Sequence, residues 1–200
     1  MTVLLYDRFM RQQSCLFLAT VVCLFAASMS PRARADITVP SLDGSLVSPL
    51  GASGEITVLM FVTTDCPIAN RYAPEIRRIY EEFDDKVTFW LVYVSDHGQA
   101  SELTDHHESF AFPMQGVRDL NNALVQVTGV TVTPEVAVYD TNQKLRYRGR
   151  IDDRYVAFGV TRSTASTHDL RDVLSRLVAG ERVSYSETRA VGCYIPSVGD

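Results

Sequence analysis

The chain has 200 residues, 46% of them hydrophobic, with a formal net charge of −5, and that length suits one domain plus a processed segment better than two domains. Residues 1–35 hold four of the 19 basic side chains and one of the 24 acidic ones, so the remainder carries 15 against 23, a net of −8. That balance, with no Lys/Arg cluster to relieve it, argues against nucleic acid or an anionic membrane as partner, because phosphate binding needs concentrated Lys and Arg.

Residues 1–35 read as a secretory signal peptide. Arg8 and Arg11 precede an apolar run from Cys15 to Met29, and Ala33-Arg34-Ala35 supplies the small residues of a cleavage site. The run is shorter than the ~20 apolar residues of a membrane-spanning helix; an uncleaved membrane anchor is the alternative. Export and cleavage are expected, leaving a periplasmic or otherwise extracytoplasmic protein large enough for a hydrophobic core. Cys15 and Cys23 leave with the signal. The mature chain keeps Cys66 and Cys193, 127 positions apart, and in an oxidising compartment the pair is either a static disulfide or two partners in a redox cycle.

Residues 36–54 predict a short strand or hairpin, punctuated by Asp43-Gly44 and Gly51. Glu55 to Thr64 is a β-branched, almost continuously apolar run, as expected of a central strand buried on both faces. Ile68, Tyr72, Ile76, Ile79, Tyr80 and Phe83 then draw one apolar stripe, predicting a helix with Arg71, Glu75, Arg78 and Glu82 on its other faces. Pro74 lies inside that helix and is expected to kink it. Val87 to Ser95 predicts a second buried strand, residues 100–111 a helix, Met114 to Val117 a short strand and Asn121 to Val127 a brief helix.

Glu135 to Tyr139 predicts another strand, and the turn Thr141-Asn142-Gln143 leads into an antiparallel partner, Leu145 to Ile151. Leu170, Val173, Leu174 and Leu177 mark a last helix ending at Gly180. The rest of the chain carries Cys193 and no clear element, so the expected organisation is a domain over 36–182 and a C-terminal tail over 183–200. Strand, helix, strand, helix, hairpin and closing helix is an α/β order, giving a mixed sheet with helices on both faces.

Chemistry points to Cys66. It stands where the first buried strand ends and the helix begins, so a thiolate there faces backbone N–H groups and the positive end of a helix dipole, both of which lower its pKa. Pro67 suits the first helical turn, where no hydrogen bond is lost. The neighbouring Asp65 opposes ionisation unless it points away. Without a functional role Cys66 would be a small buried hydrophobe or half of a structural disulfide.

The stretch FVTTDCPIANRYAPEIRRIYEEF, residues 61–83, resembles the thioredoxin-like superfamily and, within it, the redoxin group of peroxiredoxins and alkyl hydroperoxide reductases. Those proteins place the nucleophilic cysteine at this corner and a helix-kinking proline eight residues later, where Pro74 stands. Thr133-Pro134 ahead of EVAVY matches their cis-proline, whose preceding residue pairs its backbone with substrate, and Tyr147-Arg148-Gly149 looks like their hairpin strand. The resemblance implies a three-layer α/β/α sandwich with a mixed central sheet ending in an antiparallel hairpin. It also implies Cys66 as nucleophile and Pro67, Thr133 and Pro134 as the substrate-binding residues.

The departures are specific. Ala69 occupies the second cysteine of C-x-x-C. Thr63 matches the threonine of the peroxiredoxin P-x-x-x-T-x-x-C, but Leu59 replaces its proline, and no arginine is assigned to the site. Thr63 is either a hydroxyl donor to the thiolate or an ordinary β-branched strand residue. Cys193, in a mobile tail, is either the thiol that resolves an oxidised Cys66 or its permanent disulfide partner.

The expectation is an exported thiol–disulfide oxidoreductase or peroxiredoxin-like antioxidant, acting on protein thiols and disulfides or on a peroxide, with its electron donor unidentified. No organic cofactor is expected, because sulfur itself cycles, and no metal ligand is assigned. The alternatives are copper handling through Cys66 with Cys193 or His97, and a redox-inactive binding module. Asp105-His106-His107-Glu108 reads as a solvated helix face, since adjacent helical residues project about 100° apart. Asp152-Asp153 reads as a turn that could hold a cation, and Trp90 reads as core.

Overall fold

The computed structural model describes residues 37–51, 54–94 and 99–196; the expected signal, with Cys15 and Cys23, and the candidate ligand His97 lie outside them. The chain runs β1 (Val39–Pro40), β2 (Leu46–Val47), β3 (Ile56–Val62), α1 (Pro67–Phe83), β4 (Val87–Tyr93), α2 (Ala100–Ser109), β5 (Gln115–Arg118) and α3 (Ala123–Thr128). It continues with β6 (Val132–Thr133), β7 (Glu135–Tyr139), β8 (Leu145–Gly149), β9 (Tyr155–Ala157), β10 (Val160–Thr161), α4 (Asp169–Val178), β11 (Ser186–Glu187) and β12 (Cys193–Tyr194).

Six strands form the central sheet in the order β11-β8-β7-β3-β4-β5. β3, β4 and β5 are parallel neighbours, whereas β7 runs antiparallel to both β3 and β8. This is the expected mixed sheet with its terminal hairpin. Every residue of β3 is buried, because alternate side chains meet different layers. Val58, Met60 and Val62 pack with Ile76 and Ile79 of α1 and Leu170 and Leu174 of α4. Leu59 and Phe61 pack on the opposite face with Leu124 of α3 and with Val39 and Leu50 beside the β1–β2 hairpin. Among the described residues no helix is long and apolar enough to cross a membrane.

α1 buries the expected stripe and carries Pro74 in its interior. Glu75 departs from expectation: it is buried, its carboxylate accepting from Arg78 at 2.9 Å and from Arg171 of α4 at 3.1 and 3.2 Å. Apolar spacing sees only that Glu75 is polar; the packing of α4 against α1 supplies the arginine that allows its burial.

The C-terminal segment, expected to carry no element, is laced to the domain. β11 pairs in parallel with β8, and the Thr188 N–H donates to the Arg148 carbonyl at 3.1 Å. Gly149 makes the contact possible, since a Cβ there would stand 2.4 Å from the Thr188 carbonyl oxygen. β12 then pairs antiparallel with β6. Strands of two or three residues carry no readable periodicity, which is why β6, β9, β10, β11 and β12 escape sequence patterning.

Candidate active site

Three segments converge at the C-terminal end of β3. The strand ends at Val62, and Cys66 becomes the N-cap of α1, with extended dihedrals (φ −77°, ψ 107°) and Pro67 opening the first turn. The Ala69 N–H donates to the Cys66 sulfur at 3.5 Å, so the thiol occupies the place of a capping side chain. β6 delivers Thr133 and the cis Thr133–Pro134 peptide alongside. β12 delivers Cys193 directly opposite Thr133.

As a thiol, Cys66 donates to the Thr133 carbonyl at 3.0 Å. Ionisation gives up that bond and leaves the sulfur to the donors around it. Burial pushes the Cys66 thiol up, but hydrogen bonds accepted from the Cys193 thiol, the Ala69 amide, the Thr133 hydroxyl and the Cys193 amide outweigh it, holding Cys66 below the ordinary thiol value. Cys193 moves the other way. Burial, the hydrogen bond and charge of Cys66, and the charge of Asp65 push it up to about 12. The Asp65 carboxylate, expected to oppose ionisation of Cys66, bears on Cys193. Both cysteines are free thiols, and Cys66 is the more acidic of the two.

Cys66 is 0% exposed, sealed within the main apolar cluster, with Val191 and Cys193 of the C-terminal segment packed against that cluster. The Thr63 hydroxyl meets the Thr133 hydroxyl at 3.3 Å, whereas the hydroxyl that reaches the Cys66 sulfur is that of Thr133. The Thr63 hydroxyl thus supports that of Thr133. Pro67 is exposed beside the site, and Pro134 is buried.

Asn70 and His106 join the site, which sequence reasoning missed. The Asn70 side-chain amide donates to the Thr64 carbonyl at 2.9 Å and accepts from His106 Nε2 at 2.9 Å, while Tyr93 Oη meets His106 Nδ1 at 3.0 Å. This set of contacts corresponds to a neutral His106 protonated on Nε2. Burial, and then the neighbouring His107, hold His106 below its ordinary value. The two histidines are half-buried against Tyr93 and Phe112, not spread over a solvated face, because α2 packs its inner side on β4. The chain Tyr93–His106–Asn70–Thr64 braces the loop that presents Cys66. An asparagine one turn into the helix after the cysteine is the one signal that could have disclosed it.

The other titratable cluster is spoken for. Glu75, Asp152 and His168 bring ligand-type atoms within 4.8 Å of one another. Two arginines already neutralise Glu75, and Asp152 accepts from the Tyr72 hydroxyl at 2.5 Å and the Arg154 N–H at 2.9 Å. Asp153 accepts from the Ser166 and Thr167 N–H groups at 2.6 and 3.0 Å. Asp152-Asp153 thus organises a loop. Trp90 is partly buried and packs on the second apolar cluster.

A thiol cap at a strand-to-helix corner, flanked by a cis-proline strand in a mixed sheet, is the arrangement of a thioredoxin-like fold. A family model described as thioredoxin-like matches residues 54–145, the stretch from β3 to the start of β8. Solved structures with this fold include a hypothetical protein from Sinorhizobium meliloti, 16% identical over 83% of this chain and 93% of that one, with a TM-score of 0.72. An uncharacterized conserved protein from Geobacillus kaustophilus is 20% identical over 86% of this chain and 95% of that one, TM-score 0.70. A secreted Mycobacterium tuberculosis disulfide oxidoreductase homologous to E. coli DsbE is 19% identical over 72% of this chain and 96% of that one, TM-score 0.53. No curated protein matches the chain in sequence.

Proposed function

We propose that this chain is an exported thiol–disulfide oxidoreductase in which Cys66 attacks and Cys193 resolves. The observation that carries the reading is the seat of Cys193: backbone-paired to Thr133, hydrogen-bonded to the Cys66 sulfur, and far less acidic than Cys66. A resolving thiol must reach the nucleophile yet stay protonated while the nucleophile acts.

The Cys66 thiolate attacks one sulfur of a substrate disulfide, forming a mixed disulfide and releasing the other half as a thiolate. Cys193 then attacks the Cys66 sulfur as its proton passes to the departing second thiolate, and the Cys66–Cys193 bond closes. The substrate gains two electrons, the protein dithiol loses two, and an external reductant of the dithiol class resets the pair. Protein disulfides fit better than peroxide, because the Thr63 hydroxyl is engaged with Thr133. The signal-like residues 1–35 support export, where disulfides persist, and the Mycobacterium neighbour is described as secreted.

The test is insulin reduction by the full chain with dithiothreitol as reductant, against Cys66→Ser. Wild type is expected to accelerate the reaction and the variant to fall to background. Equal rates would rule out catalysis by Cys66, and Cys66-dependent consumption of hydrogen peroxide faster than insulin reduction would move the assignment to peroxidase.

A further inference from the structure

The C-terminal segment meets the site as a strand, with more order than a resolving thiol requires. Cys193 stands opposite Thr133 and Tyr194 opposite Val132 in antiparallel register. The Ile195 N–H donates to the Thr131 carbonyl at 3.1 Å, and the Asn122 side chain donates to the Pro196 carbonyl at 2.8 Å. Strand alternation turns the Cys193 side chain toward Cys66 and leaves Tyr194 84% exposed.

The tightest point is Gly192. A Cβ there would stand 2.1 Å from the Thr133 carbonyl oxygen, 2.6 Å from its carbon and 3.2 Å from the Pro134 nitrogen. These are backbone atoms between two buried residues, so no flexible side chain can move aside. The φ of Gly192 lies outside the left-handed region, so space alone demands glycine at this position.

We infer that Gly192 is the specificity-determining residue that seats the tail on the β6 edge as a tethered substrate, with Cys193 as the thiol that Cys66 reads. The inference rests on Cys66 being the nucleophile proposed above. Two consequences follow from one contact. While the tail is seated, any mixed disulfide on Cys66 is resolved at once by Cys193. For the same reason Cys66 is closed to outside disulfides until residues 192–195 lift. The tail is suited to lifting, since β12 is held by a two-residue pairing and buries little of Tyr194.

Oxidised glutathione is the probe. Cys66 attacks its disulfide and releases one glutathione thiolate; Cys193 displaces the second, its proton leaving with that thiol, and the protein pair is oxidised as glutathione disulfide is reduced. The reduced full chain is exposed to the probe, quenched with acid and mapped by mass spectrometry. Wild type is expected to yield the Cys66–Cys193 bridge with little glutathionylated Cys66. Gly192→Ala, which overpacks the seat, is expected to close the bridge about tenfold or more slowly and to accumulate the Cys66 adduct. Closure at the wild-type rate would overturn the inference.

Occlusion is read separately. Cys193→Ser keeps the tail seated without its sulfur, and its Cys66 is expected to react several-fold more slowly than in the Gly192→Ala/Cys193→Ser double variant. Equal rates would also overturn the inference. A wild-type chain that accumulates the adduct without a bridge refutes the tethered substrate and spares Cys66 as nucleophile. A chain that shows neither product refutes both.

Discussion

Thr133→Val isolates what one hydroxyl does for the proposed nucleophile, Cys66. Valine keeps the branched shape of a fully buried side chain and removes one donor to the Cys66 sulfur. The Thr133 carbonyl that the thiol form bonds at 3.0 Å is retained, so the substitution acts on the thiolate alone. The Thr63 hydroxyl that loses its partner is half-buried and water can replace that contact. A hydrogen bond to a charged acceptor is worth about 1.5 kcal/mol at the low end, appropriate to sulfur, and its loss shrinks the thiolate fraction about tenfold on the acid side of the titration. The thiolate that remains is more basic and so more nucleophilic, with a Brønsted slope of about 0.4–0.5 that returns a factor of about three. Exchange with oxidised glutathione is therefore expected to slow about threefold at low pH and to quicken about threefold above the titration, where both forms are ionised. The measurement is the pH–rate profile of Cys66 glutathionylation, resolved by peptide mapping in a Cys193→Ser background that prevents bridge closure. A midpoint that stays put or moves down would refute the claim that the Thr133 hydroxyl holds the thiolate.

Two further outcomes are expected. Closing the Cys66–Cys193 bridge cross-links residues 127 positions apart and should stabilise the domain by about 5 kcal/mol in the loop-entropy treatment; urea midpoints of oxidised and reduced protein measure it, and a change near zero would mean that β12 must distort to close. Burial, and then His107, hold His106 below its ordinary value, so the unfolded chain takes up the proton first and stability falls as pH drops below about 6.5, levelling once the folded form is protonated too. His106→Gln should flatten that loss in urea unfolding between about pH 8 and pH 5, and an unchanged pH slope would show that His106 does not carry it.

Much of the scaffold was legible because its signals are local. Six of the seven residues of β3 are apolar, Thr57 being the exception, because both faces of a central strand are covered, and the stripe on α1 repeats at helical spacing. The corner that holds Cys66 follows from where that run stops and Pro67 begins a helix. Thr133-Pro134 could be placed by resemblance, and the hairpin of β7 and β8 by its turn residues.

What stayed hidden depends on partners far along the chain. Glu75 is a surface residue by pattern and a buried one by virtue of Arg171. His106 becomes part of the site only when α2 lies against β4 and meets Asn70. The Thr133 hydroxyl bears on the Cys66 sulfur, and that of Thr63 on Thr133, only because β6 lies beside the end of β3.

The sequence by itself determined the address of Cys66, since a strand end, a cysteine and a proline in succession dictate local dihedrals and a helix start. Only the tertiary structure decided that address's neighbour and its cover. Cys193 meets Cys66 through a two-residue ladder with β6 and the missing side chain of Gly192. Contacts of that kind have no periodicity to read, because they arise from how closely two distant backbones can approach.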